Sequence, residues 1–122
     1  MAQDKIKILI CDDSILARKS MSAMLSSFGY DDITEVSNGE DAVNKYKEEK
    51  PDLVFLDIVM PVKDGITATR EIIEFDPEAR IIVISSMGTQ THLREVIKAG
   101  AKDFIQKPVE ADLLKQVLDH NI

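Results

Sequence analysis

Three carboxylates stand where apolar runs stop: Asp12 and Asp13 close the run Ile6-Lys7-Ile8-Leu9-Ile10-Cys11, and Asp57 closes Leu53-Val54-Phe55-Leu56. Runs of this length read as buried strands, so an acid at the end of one is delivered to an edge of the sheet. In a parallel sheet that edge is the carboxyl end of the strands, where open α/β folds bind their ligands. If the two strands lie side by side, the three acids converge and repel one another unless a cation is present. Mg2+ suits such a place, because it prefers oxygen ligands, keeps several waters and needs only one or two carboxylates plus a backbone carbonyl. A site of this kind can neutralise phosphoryl oxygens while leaving one carboxylate free as a nucleophile, which is the division of labour in phosphoryl transfer.

Two further strand ends supply matching groups. Ser85 follows Ile81-Ile82-Val83-Ile84, and Lys107 follows Phe104-Ile105-Gln106. A lysine is a mobile positive charge suited to phosphoryl oxygens, and a hydroxyl donates one more hydrogen bond. Lys107 also precedes Pro108, which pushes it out of helical geometry across a bond of the type that can be cis.

The elements that must carry these groups alternate. Apolar runs at 6–11, about 33–36, 53–56, 81–84 and 104–105 are separated by segments with helical spacing. That alternation predicts a doubly wound α/β fold, a five-stranded parallel sheet with helices on both faces. Ala17, Met21, Met24, Leu25 and Phe28 form one helical stripe, and Leu113, Leu114, Val117 and Leu118 a second; both are expected to face the core. Ser14 or Asp13 can cap the first helix, Asn38-Gly39 opens the second and Pro51 ends it. Asp64-Gly65 leads into a third helix, Gly88 precedes a fourth, and Ala99-Gly100 ends that one as a glycine C-cap.

At 122 residues, 44% apolar and 30% charged, the chain has the balance of a single globular domain, expected to span 1–122 with no attached output domain. No apolar run approaches a membrane span and the N-terminus lacks a secretory pattern, so a cytoplasmic location is expected, without membrane insertion. A net charge of −7 argues against direct nucleic-acid binding. The single cysteine, Cys11, reads as a small buried hydrophobe. His92 and His120 have no partner at metal-ligand spacing and receive no role, and Lys45 to Lys50 reads as a solvated helix face.

Taken together, Asp12-Asp13, Asp57 with Met60-Pro61 and Asp64-Gly65, Ser85-Ser86, and Lys107-Pro108 resemble the motif set of the response-regulator receiver domain of two-component signalling. The resemblance covers essentially the whole chain and is nearest to stand-alone chemotaxis receivers of the CheY type, notably at Ser86-Met87-Gly88 and from Ala99 to Ile105. It implies a flavodoxin-like, CheY-like fold with five helices and strand order 2-1-3-4-5, an order not readable from the runs themselves. It also implies that Asp57 accepts a phosphoryl group from a histidine kinase and, with Asp13, binds Mg2+ directly. Asp12 would reach the metal largely through water, and the backbone carbonyl of Val59 would be the third protein ligand. Lys107 and Ser85 would grip the phosphoryl oxygens, and Phe104 would be the aromatic switch that turns inward as Ser85 moves. The face of the fourth helix, fifth strand and fifth helix would then change shape and bind a downstream target, a flagellar motor switch among the candidates. Such a protein is a switch rather than an enzyme, present as a monomer or a phosphorylation-dependent dimer.

One departure has chemical content: Val59 and Met87, flanking the phosphoryl group, are apolar, where some members of the family carry amides or acids that position an attacking water. Slow self-dephosphorylation and reliance on a separate phosphatase are therefore expected. An alternative is a magnesium-dependent phosphohydrolase working through an aspartyl phosphate, but it usually needs a second acid where Val59 stands. A flavodoxin-like binding module is another, disfavoured by the acidic first loop and the absence of Trp.

Overall fold

Five runs form five parallel strands, with the helices between them packed on both faces of the sheet. In the computed structural model, which describes residues 6–58, 63–86 and 90–122 apart from the side chains of 90–92, the strands are β1 (Lys7–Cys11), β2 (Asp32–Val36), β3 (Leu53–Asp57), β4 (Ile81–Ser85) and β5 (Asp103–Gln106). They alternate with α1 (Ile15–Ser27), α2 (Gly39–Glu49), α3 (Gly65–Phe75), α4 (Gln90–Ala99) and α5 (Ala111–Asn121). The sheet order is β2-β1-β3-β4-β5, parallel throughout. The order in which strands are added to the sheet reverses between β1 and β3, so the crevice for a ligand opens at the carboxyl ends of those two strands.

Alternation along each strand feeds two cores. Leu9, Val54, Leu56 and Val83 meet Ala42, Val43, Tyr46, Ala68, Ile72 and Val96 from α2, α3 and α4. Ile8, Ile10, Phe55, Ile82, Ile84 and Ile105 meet Met21, Leu25, Leu114, Val117 and Leu118 from α1 and α5. Central strands β3 and β4 are buried at every residue, as expected where helices cover both faces. Of the expected stripe on the last helix, Leu113 departs: it is 40% exposed, because it lies one residue, about 100° around the helix, from the buried Leu114.

Helix starts follow the punctuation. Ser14, not Asp13, caps α1 by accepting from the Ala17 N–H, and Asn38 and Asp64 accept from Asp41 and Thr67 in the same way. At the end of α4, Gly100 adopts φ 113° and donates to the Ile97 carbonyl, while Ala101 donates to that of Val96. The expected role of Gly88 lies outside the described residues. No described helix is long and apolar enough to cross a membrane.

The end of α2 holds a residue of the wrong type for its conformation. Lys50 takes φ 46° just before Pro51, a region where a Cβ costs energy and glycine does not. Its ammonium lies 5.6 Å from the Phe75 ring centre, a weak compensation shared with Lys47 at 5.7 Å. Lys50→Gly is expected to raise stability by about 0.5 kcal/mol, the relief of strain outweighing the added freedom of the unfolded chain. A higher urea midpoint at unchanged slope is the readout; an unchanged or lower midpoint would show that the backbone there is not strained.

Candidate functional site

The ladder ends bring the acids together. Cys11 pairs with Leu56, so the residues that follow them, Asp12 and Asp57, emerge side by side at the sheet edge. Ligand oxygens of Asp12, Asp13 and Asp57 lie within 4.8 Å of one another. Asp12 and Asp57 are buried and Asp13 is exposed, so the cluster has one side open to solvent. Strand β3 runs one residue further than the apolar run, and Asp57 is itself a rung paired with Ile84. The same holds at Ser85, which pairs with Gln106 and is buried.

Asp12 is held at every polar atom. Its N–H donates to the Val36 carbonyl (3.2 Å), its Oδ1 accepts from the Ser14 N–H (2.9 Å), its carbonyl oxygen accepts from Arg18 Nη1 (2.7 Å) and its Oδ2 accepts from Lys107 Nζ (3.0 Å). Lys107 reaches across from the end of β5 and also donates to Asp57 Oδ2 at 3.2 Å. Its backbone is fixed separately, since its N–H donates to the Ser85 carbonyl (2.9 Å) and the Lys107–Pro108 peptide is cis. Burial alone would lower the lysine pKa, but the hydrogen bond to Asp12 and the charge of Asp57 outweigh it and hold the ammonium above its ordinary value. The lysine is therefore a fixed positive charge across the neutral range.

Three carboxylates facing one ammonium leave a net charge of about −2, all of it on hard oxygen donors, which fits a divalent ion of the Mg2+ class. Among the described residues, Asp12, Asp13 and Asp57 are able to hold it. Cys11, directly beneath, plays no part in ligation: it is buried, its thiol donates to the Asn38 carbonyl (3.1 Å), and burial pushes its pKa far above the usual thiol range. The α3 start closes the far wall, with the Gly65 N–H donating to the Ile58 carbonyl at 2.8 Å.

Phe104 is half-buried against the core cluster that includes Val83, Ile72 and Val96, and pairs with Val83, two residues before Ser85. Val59, Met60, Pro61, Met87 and Gly88, and the side chain of His92, lie outside the described residues. His120 is exposed on α5, and Lys45 makes helix-face ion pairs with Glu48 and Glu49 (3.9 and 3.7 Å). Pattern reading overlooked Arg18 and Glu35, which bond to each other at 3.2 Å behind the acid cluster. No spacing rule joins a helix residue to an edge-strand residue, so only a covering of opposite charges on facing elements could have hinted at it.

Comparison with known proteins identifies the family. The family profile of the response regulator receiver domain matches residues 8–119. The chemotaxis protein CheY of Bacillus subtilis is 46% identical over 116 residues, covering 95% of this chain and 97% of that protein. Among solved structures, the CheX-CheY-BeF3-Mg2+ complex of Borrelia burgdorferi contains a similar chain, with TM-score 0.91, 38% identity, and coverage of 98% of this chain and 91% of the other. The receiver domain of a Pseudomonas aeruginosa sensor histidine kinase, solved with a magnesium ion coordinated in its active-site cleft, has TM-score 0.88 at 30% identity, covering 95% and 96% of the two chains.

Proposed function

The chain belongs to the response regulator receiver domain family, and is a phosphorylation-activated signalling switch of the chemotaxis type; on that premise we propose that Asp57 is its phosphoacceptor and that a histidine kinase is the donor. The observation that carries this reading is the meeting of Asp12, Asp13, Asp57 and Lys107 at one sheet edge. In the transfer, an Asp57 carboxylate oxygen attacks the phosphorus of a phosphohistidine, the P–O bond forms as the P–N bond breaks, and the imidazole leaves with the electron pair and takes up a proton. Asp13, Asp57 and the Val59 carbonyl would hold Mg2+, with Asp12 reached through water, and the ion would supply charge neutralisation at the phosphoryl oxygens. Two relatives support that pairing, one solved with BeF3 and Mg2+ and one with magnesium in its cleft.

Lys107 and Ser85 then bind the new phosphoryl oxygens. Lys107 already donates to Asp12 and Asp57, and its third N–H can meet a phosphoryl oxygen on Asp57. Phe104, in β5, would turn inward as Ser85 moves and alter the α4–β5–α5 face that binds the target. A protein donor rather than a small metabolite suits the rim, where Ile15 and Leu16 are 63% and 83% exposed at the start of α1. This switch would work in the cytoplasm, between a kinase, a target such as a motor switch, and a phosphatase, without touching nucleic acid.

The test is incubation with a small acyl phosphate and Mg2+, followed by intact mass. We expect one added phosphoryl group with Mg2+ and none with a chelator; labelling indifferent to the metal would end the reading. Val59 and Met87 are apolar and offer neither an amide nor an acid to orient an in-line water, so the adduct should persist well beyond the seconds scale. Complete loss within seconds in unassisted decay would refute the long lifetime.

A further inference from the structure

We infer that Arg18, braced by Glu35, is a positioning residue that fixes the Asp12–Asp13 peptide and thereby sets the affinity of the acid cluster for Mg2+; the inference rests on the metal site proposed above. The Asp12 carbonyl lies before the Ser14 cap, outside the hydrogen-bond ladder of α1, whose first bond runs from the Arg18 N–H to the Ser14 carbonyl (3.1 Å). A carbonyl on a buried residue needs a donor. Arg18 supplies one from its side chain, Nη1 to Asp12 O at 2.7 Å, although its own backbone belongs to the helix.

The guanidinium is itself held. Its Nε donates to Glu35 Oε1 (3.2 Å), and the other oxygen, Oε2, accepts from Lys19 Nζ (3.2 Å) and Ser22 Oγ (3.1 Å). Glu35 stands in the edge strand β2 opposite Ile10, two residues before Asp12 in β1. Three donors from α1 therefore converge on one carboxylate that the sheet holds in place. The Asp12–Asp13 peptide is gripped from that scaffold at its oxygen, while the Asp12 N–H is gripped by Val36 of the same strand. Rotation of this peptide would swing Asp13, the exposed member of the cluster, away from the other two carboxylates. The fork geometry of arginine is what allows one side chain to serve a carbonyl and a carboxylate together.

Charge and geometry oppose each other here: removing a cation near the site favours Mg2+, whereas releasing the peptide disfavours it. Arg18→Lys separates them, because it keeps the charge and loses the fork. The experiment is calorimetric titration of MgCl2, with no phosphodonor, into the native chain, Arg18→Lys, Arg18→Met, Glu35→Gln and Leu118→Ala. Both Arg18 variants are expected to bind Mg2+ about tenfold more weakly, the usual scale for loss of a group that orients ligands. Glu35→Gln should move the same way by a smaller factor. Leu118→Ala, a core change remote from the site, should lower stability and leave the Mg2+ affinity unchanged. In labelling by acyl phosphate, the half-saturating Mg2+ concentration should rise for Arg18→Lys while the rate at saturation recovers. Native-like Mg2+ affinity in folded Arg18→Lys and Glu35→Gln would overturn the inference even if Arg18→Met failed to fold. Absence of Mg2+ binding by the native chain would instead remove the metal site on which the inference stands.

Discussion

Asp57→Asn will take up no phosphoryl group from an acyl phosphate under conditions that label the native chain. The amide retains the size and most of the hydrogen-bonding capacity of the carboxylate, so Lys107 still finds an acceptor, but it offers no anionic oxygen to attack phosphorus. Loss of labelling could be dismissed if the variant were unfolded, and the electrostatics argue the reverse. Among the described residues, Asp57 faces two carboxylates and one ammonium within the same few ångströms. Neutralising it removes two repulsions and one attraction, so in the presence of a chelator the variant should be more stable than the native chain, by on the order of 1 kcal/mol. Added Mg2+ should stabilise the native chain more than the variant, because binding to the folded state alone shifts the unfolding equilibrium. Intact mass and urea unfolding with and without Mg2+ read both effects. Equal labelling of the two proteins would exclude Asp57 as the acceptor, and a variant less stable than native in chelator would show that the cluster is not under repulsion.

Gly65→Val will cost about 3 kcal/mol and disable the site without touching an acid. A Cβ at position 65 would overlap the Asp57 carbonyl oxygen and stand 2.8 Å from the Ile58 Cα. Both are backbone atoms at the end of β3, so neither can yield as a flexible side chain would. Helix α3 has to withdraw, breaking the Gly65 N–H bond to the Ile58 carbonyl and shifting the backbone that aims Asp57. Gly65→Ala should show the same sign with a smaller loss, since the overlap begins at the Cβ. Urea unfolding measures the cost, and the Mg2+ titration measures the site. A native midpoint in Gly65→Val would mean that helix and strand do not meet as closely as the structure has them.

The comparison between the two levels is instructive at particular residues. Asp12, Asp13, Asp57, Ser85 and Lys107 are recognisable in the chain because each comes at or just after the end of an apolar run, and a strand buried on both faces has room for polar residues only at its ends. Ser14, Asn38, Asp64 and Gly100 are recognisable because capping is local chemistry, settled within about four residues of the helix terminus. The parallel sheet itself follows from alternation. Its order does not, and required a family resemblance, because an apolar run of four or five residues carries no label for its neighbour.

What the linear chain determined, then, was the set of elements, their ends and the types of group placed there, since hydrophobic periodicity and capping act over short spans of sequence. Tertiary structure alone decided which groups share a partner. The lysine that answers Asp12 lies 95 residues away, and Arg18 reaches a glutamate 17 residues further on in an edge strand. The choice of Ser14 over Asp13 as cap left Asp13 to the acid cluster. Such pairings depend on the packing angle and register of whole elements, which are fixed only when two cores close on the two faces of the sheet, and no spacing between residues records them.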